Sequence, residues 1–454
     1  MLTLSCPGGH VMTISQTADT EDIRLNEHPQ RRQLNREARP RTQLQLAVGM
    51  RASYIAYLHR HISRERENWL YRELAAQLKQ ACPPLDDGQL LLETGFGSIR
   101  WERHGEFSSL TIIADGAESR PFAEPALREL PADWVAWLPG NVLVAAHTML
   151  LTPATLPLLA EDLAVQYFGG YELVGAEIGD GAGRAYTDLR IHADGFSRYV
   201  LVDYYMGRRQ AGRMLQRVLE LETYRMLALL ALPVAKTIGP ELAKVDEELA
   251  ELTGAMSAAN ADNEAQQLHR LTELAGAVES ALSRTDHRLS ASQAYYDIAR
   301  NRIAELRERR IQGLQPFQQF IERRLAPAMD TCRAVAVRQR ELAERVNRAT
   351  ALLRTRVDIR RERQNQELLA SMERRAATQL RLQQAVEGLS IAAITYYAAG
   401  LLAYLFKGAK AAGVPLNPEV AIAAAVPTLA LLVALGLHRM RKSLHREEGQ
   451  PISR

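Results

Sequence analysis

Near the end of the chain two stretches carry no charge at all: Gly388 to Phe406, GLSIAAITYYAAGLLAYLF, and Val420 to Leu437, VAIAAAVPTLALLVALGL. Each is about as short as a helix can be and still cross a ~30 Å hydrocarbon core. Arg374, Arg375 and Arg381 precede the first stretch, and Arg439, Arg441 and Lys442 follow the second. The pattern predicts a two-pass hairpin, with residues 388–406 and 420–437 as spans and 407–419 as a short outer loop. That loop sets Lys407 and Lys410 against Glu419. The larger basic excess lies on the other side, so the positive-inside rule places both termini in the cytoplasm of a bacterial inner membrane. Pro427 is tolerable in the second span because a neighbouring helix can cover the backbone it frees. The lipid bilayer is therefore an expected partner, with a basic cytoplasmic tail at 438–454.

The rest of the 454-residue chain is long enough for two or three cores. Its formal net charge of +3 is too near balance for a protein built around nucleic acid. Cys6, Cys82 and Cys332 are an odd, scattered set that defines neither a disulfide framework nor a CxxC metal site. Cys6 and His10 are close enough in sequence to share a metal, but residues 1–42 are polar and rich in Arg, Asn, Gln and Glu. They read as a mobile lead-in, without the basic and apolar regions of a signal peptide.

Residues 43–206 change pattern with each short segment, as an α/β domain does. A helix is expected over Arg64 to Gln80, ended by Pro83-Pro84. Strand-like runs follow at Gly97 to His104, Phe107 to Ala114, Asn141 to Leu151, Tyr171 to Ile178, Arg184 to His192 and Phe196 to Tyr204, separated by turn signals. Helical pieces near Glu124 to Leu130 and Leu156 to Gln166 interrupt them. The expectation is a mixed sheet with helices packed on it.

From 207 to 387 the chain reads as helix. One helix carries Met214, Val218, Leu221 and Met226 at helical spacing and is expected to end at Pro233, with the next starting near Pro240. From Leu268 to Leu306 a seam through Leu271, Val278, Leu282, Thr285, Leu289, Ser292, Tyr296, Ala299 and Ile303 keeps the alternating three-four spacing of a coiled coil. Gly313 and Pro316 break it. After Pro327 no strong breaker comes until Gly388, which predicts one helix of roughly 60 residues, about 90 Å long at 1.5 Å per residue. The expected fold class is an α/β N-terminal domain, a long-helix, coiled-coil-like stalk and a C-terminal two-helix transmembrane hairpin.

Candidate chemistry is sparse. GDGAGR (Gly179 to Arg184) lacks the lysine of a Walker loop and precedes a strand, so it reads as a hairpin turn. In WERHGEF, Glu102, His104 and Glu106 share a face at period two and are the candidate metal ligands; a solvated strand face with ion pairs is the alternative. No Ser-His-Asp, Cys-His or HExxH arrangement stands out, so no enzyme and no cofactor are expected.

WERHGEF, the strand FSRYVLVD with its following helix AGRMLQRVLELETYRMLALLALPVA, RRLAPAMDTC, LLRTRVDIRRERQNQELLASMERRA and LQQAVEGLSIAAITYYAAGL together resemble a proteobacterial family of uncharacterized membrane-anchored proteins. The likeness runs from about Asn26 to Lys442 and implies a membrane anchor without an assigned activity. The lead-in RQLNREARP is a diverged form of that family's N-terminal pattern, with Glu37 ahead of Ala38-Arg39-Pro40 and no histidine. In architecture alone the chain is also similar to CorA-type divalent-cation transporters. That likeness implies a homo-oligomer, a pentamer if it is followed through, and an inorganic ion, divalent or other, as cargo. The Gly-Met-Asn signature of that family is replaced by Ala403-Tyr404-Leu405-Phe406.

The function expected on this reading is an oligomeric ion channel or transporter, with a membrane-tethered scaffold or regulator as its alternative. An oligomeric ion channel would use Glu387, Ile391, Thr395, Ala398 and Leu402, which fall on one face of the first span, as its pore lining. A membrane-tethered scaffold or regulator would need no such stripe.

Overall fold

The computed structural model describes residues 28–31, 34–35, 44–85, 88–116, 122–139, 141–157, 159–257, 263–411 and 418–447. Most of the lead-in, with Cys6 and His10, lies outside these residues, as does the tail beyond 447. The chain divides into two compact units, one of residues up to Glu251 with Glu273–Val346, the other Leu252–Thr272 with Asn347 onward.

The first unit is built on a mixed sheet. Its strands are β1 (Met50–Leu58), β2 (Gln89–Thr94), β3 (Gly97–Arg103), β4 (Phe107–Asp115), β5 (Val142–Leu151), β6 (Val174–Ile178), β7 (Gly183–Thr187), β8 (Ser197–Asp203) and the two-residue β9 (Arg309–Arg310). They lie in the order β2-β3-β4-β1-β5-β8-β7-β6-β9. Every neighbouring pair is antiparallel except β5–β8, where Ala146 to Leu151 run alongside Ser197 to Val202. The GDGAGR stretch is the turn of the β6–β7 hairpin, as its glycines predict, with Gly179, Asp180 and Gly181 all at positive φ.

Strand alternation divides the core into two faces. Tyr54, Ala146, Leu150 and Leu201 point to one side, where they meet Met214, Leu215, Val218 and Leu219. On the other side Ile99, Trp101, Leu110 and Ile112 pack with Leu70, Tyr71 and Trp134, and Met149, Val200 and Val202 pack with Leu163 and Phe168. The helices that cover these faces are α1 (Arg64–Gln77), the short α2 (Ala132–Ala136), α3 (Ala160–Phe168) and α4 (Arg208–Leu229). Ser63 caps α1 by accepting the Arg66 N–H at 3.2 Å. Where α4 begins, the chain at Leu44 crosses it so closely that a Cβ on Gly212 would stand 1.9 Å from the Leu44 carbonyl oxygen. Leu46 N–H donates to Arg208 O beside this crossing.

Long helices complete the chain: α5 (Ala231–Ser257), α6 (Glu264–Leu306), α7 (Phe317–Ala411) and α8 (Pro418–Glu447). In α6 the buried positions Val278, Thr285, Leu289, Ser292, Tyr296, Ala299, Ile303 and Leu306 follow the expected seam closely. In α7 a matching seam runs through Ile321, Leu325, Met329, Cys332, Gln339, Leu342 and Val346. Glu308 caps α7, its two carboxylate oxygens accepting the N–H groups of Phe317 and Gln318 at 3.1 and 2.9 Å.

Several boundaries differ from the sequence-based expectation. β1 and β2 were not anticipated, although β1 is the strand that both β4 and β5 pair with. The break expected at Pro233 falls at Leu230, and Pro240 lies inside α5 instead of starting a helix. Pro233 is in the first turn, where no N–H is needed. Pro240 and Lys236, whose carbonyl it frees, are both exposed to water. For the same reason α7 starts at Phe317 and runs through exposed Pro327, ten residues before the expected start. α1 stops at Gln77, ahead of the Pro83-Pro84 pair, and Lys79 then takes a positive φ.

Candidate functional site

The expected metal ligands do not converge. Glu102, on β3, is buried and receives Arg100 Nη2 at 2.7 Å. Glu106, in the β3–β4 turn, is held by Arg288 at 2.9 Å and faces His287 at 3.7 Å. His104 stacks on Phe107 with ring centroids 4.3 Å apart and lies 3.4 Å from Ser109 Oγ. Among the described residues no three His, Cys, Asp or Glu side chains come together as a metal site. Cations already pair with both carboxylates, but Glu102 is buried and its partner Arg100 is on the same strand, so this is not the solvated face with cross-strand ion pairs that was the alternative.

Glu102 and His104 instead border a polar cavity of about 20 Å³ between the sheet and α4, with Arg100, Tyr54, Gln216 and Glu220. That is room for about one water molecule. Arg100 Nη1 also donates to Gln216 at 3.2 Å, and Gln216 donates to Glu220 at 2.6 Å. Arg302 extends the chain of charges, reaching Glu220 at 2.5 Å and Glu305 at 2.7 Å. Tyr54 hydrogen-bonds Thr223 Oγ1 at 2.9 Å, and burial holds its hydroxyl well above the usual tyrosine range. The Tyr295 hydroxyl is pushed up to about 12, by burial first and by the neighbouring Glu106 carboxylate next. Sequence reasoning missed Arg100, although it stands two residues before Glu102 and so on the same strand face.

Other polar groups lie inside the sheet unit as well. Fully buried Glu67 accepts the Tyr57 hydroxyl at 2.8 Å and pairs with Arg103. Arg103 also lies 3.2 Å from His59 Nδ1. On neighbouring strands Ser53 Oγ and His147 Nδ1 are 3.0 Å apart, and Leu127 N–H donates to the same Ser53 oxygen at 3.0 Å. With one lone pair taken by Leu127, the Ser53 oxygen can still either donate to Nδ1 or accept from it, according to the imidazole tautomer. Burial lowers the His147 pKa to about 4, with Asp194 raising and Arg198 lowering it less strongly. Ser53 is fully buried.

In the second unit Glu387, Ile391, Thr395, Ala398 and Leu402 do share one face of α7, and all five are half-buried. The opposite side, with Leu389, Tyr396, Leu401 and Tyr404, is 66–78% exposed. In α8 the half-buried positions Ile422, Ala425, Val426, Leu429, Ala430, Val433 and Ala434 recur at the same spacing. Thr395 Oγ1 is covered and has no hydrogen-bond partner, whereas Ser390 donates to Val386 O at 2.8 Å and Thr428 to Ala424 O at 3.0 Å.

Among the described residues two helices are long and apolar enough to cross a membrane, by length and composition alone. In Arg208–Met256 a third of the most apolar window is buried, and in Phe317–Gly408 none of it is. Ile422–Gly436 is a shorter apolar helix. Fold and helices define a protein with an N-terminal α/β sheet domain followed by long helices, two of them apolar enough to span a bilayer. The chain belongs to the family described as "Protein of unknown function (DUF3422)", whose model matches residues 26–444. No curated protein matches it.

Proposed function

We propose that this chain is a membrane-tethered scaffold or regulatory protein, with α7 and α8 forming a two-pass anchor and the sheet unit on the cytoplasmic side. The observation that carries this reading is the contrast between the two apolar helices. The apolar stretch of α4 and α5 supplies buried core residues, as a soluble helix does, while that of α7 has no buried residue at all. A helix so apolar and so bare is stable where lipid replaces the missing protein cover. Six residues separate α7 from α8, and their half-buried stripes are what two antiparallel neighbours leave after covering one face each. The basic flanks give the orientation.

Ion conduction fits less well. A pore needs the Glu387 to Leu402 face turned to a lumen, and that face is the one the chain's own atoms half cover. The test joins alkaline extraction of membranes with reporter fusions after Arg381 and after Arg454 and with labelling of single cysteines placed between Gly408 and Asn417. Retention in the membrane, cytoplasmic reporters and an externally labelled loop support the anchor. Release of the full chain by alkali, or a periplasmic reporter at either fusion, refutes it. Ion flux through reconstituted vesicles that is lost on Thr395→Leu would restore the channel.

A further inference from the structure

We propose that α7 packs against a second copy of the chain through the stripe Leu369, Met372, Ala376 and Leu380, just ahead of the membrane span. From Arg361 to Val386 every residue of α7 except Ser371 is exposed. Yet this stretch carries Leu368, Leu369, Met372, Leu382 and Val386 at 57–66% exposure and Leu380 at 48%. In proteins most helical stability comes from packing one apolar face. At ~100° per residue, Leu369, Met372, Ala376 and Leu380 fall within about 80° of one another, the width of a packing seam.

A second copy is the occupant that the flanking charges select. Glu373 borders the stripe on one side and Arg375 on the other. Parallel helices set opposite flanks face to face, so unlike charges meet, whereas antiparallel helices set like against like. The inference rests on the membrane-tether reading, because a shared bilayer makes copies parallel and brings each stripe to the level of its twin.

The test uses the full chain in its native membrane, with Cys6, Cys82 and Cys332 changed to serine and one cysteine introduced at a time. Oxidation should link copies through Leu369→Cys, Met372→Cys, Ala376→Cys and Leu380→Cys, and leave Ser371→Cys and Thr378→Cys, on the far side of the helix, largely monomeric. Leu369→Glu with Leu380→Glu should lower the mass of the solubilised particle while the protein stays resistant to alkaline extraction. Equal linking on both sides of the helix overturns the proposal. So does a monomeric wild-type particle that links to no copy, whatever else then covers the stripe. Loss of alkali resistance in the wild-type chain would instead count against the anchor.

Discussion

Thr285 Oγ1 lies 3.1 Å from the side-chain amide of Gln339, a polar contact between α6 and α7 inside a largely apolar seam. Thr285 has one hydroxyl proton, which it gives to Ala281 O at 2.9 Å. As placed, Gln339 Oε1 faces the threonine oxygen and the buried Nε2 has no hydrogen-bond partner; with the amide turned, one Nε2 hydrogen donates to that oxygen. A lone polar pair at such positions fixes helix register.

The first prediction follows from that pair. Thr285→Val leaves the Gln339 amide, 1% exposed, without its partner. The change should cost about 1–3 kcal/mol, and adding Gln339→Leu should recover most of it. Denaturant titration of the single and double variants checks this. Additive losses would show that the contact contributes nothing.

A second prediction concerns Glu67 and Arg103. Glu67→Ala would take the carboxylate from the Arg103 guanidinium and leave the Tyr57 hydroxyl only Tyr71 to bond with. The expected loss is about 3 kcal/mol, the low end for a buried pair, because Arg103 keeps a fifth of its side chain in water. Replacing both residues, as Glu67→Leu with Arg103→Met, should destabilise less than Glu67→Ala alone, read from thermal unfolding.

His147 makes stability depend on pH. Its folded-state value of about 4 lies below the ~6.5 of an unfolded histidine, so the unfolded chain binds the extra proton between the two. The resulting stability is fully present above about pH 6.5 and is lost as pH falls toward 4, on the order of 3 kcal/mol in all. His147→Phe, which keeps a ring against Phe196, should flatten that slope. An unchanged slope in the variant would place the acid sensitivity elsewhere.

What sequence could and could not reveal follows from the same physics. The α6 seam was legible because one face meets solvent and the other meets protein, so polar and apolar residues alternate at helical spacing. β1 was not, because Ala52 through Tyr57 are buried on both faces. A strand with no solvent side has no period-two signal, and its Ser53 and two tyrosines blurred the apolar run. Proline misplaced two helix starts because Pro240 and Pro327 meet solvent, where water satisfies the carbonyls they free. In the polar interior Glu102 and His104 were found and their neighbours were not. Gln216 and Glu220 reach the cavity from α4, more than a hundred residues away in the chain, a distance that spacing rules do not cross.

Gly212 supplies the fourth prediction. Gly212→Ala would drive a methyl group into the Leu44 carbonyl and push the Leu44–Leu46 segment off α4, with loss of the Leu46 to Arg208 bond. The cost should be about 1–3 kcal/mol, as for other overpacked sites. Limited proteolysis should show faster cleavage near residue 44 than in the wild type. Unchanged cleavage would mean that the crossing yields without strain.

The position of β9 in the chain sets an order on the ribosome. β1 to β5 come from one continuous stretch, Met50 to Leu151, and pair with one another only antiparallel, so that half of the sheet has all its strands early in synthesis. β9, the last strand at the far edge, is made only after α4, α5 and α6. Until Arg309 and Arg310 emerge, β6 keeps an open edge, the kind of surface that invites pairing with another nascent chain. The apolar stretch that begins at Gly388 follows almost eighty residues later. The sheet can therefore close its edge before that apolar segment has left the exit tunnel.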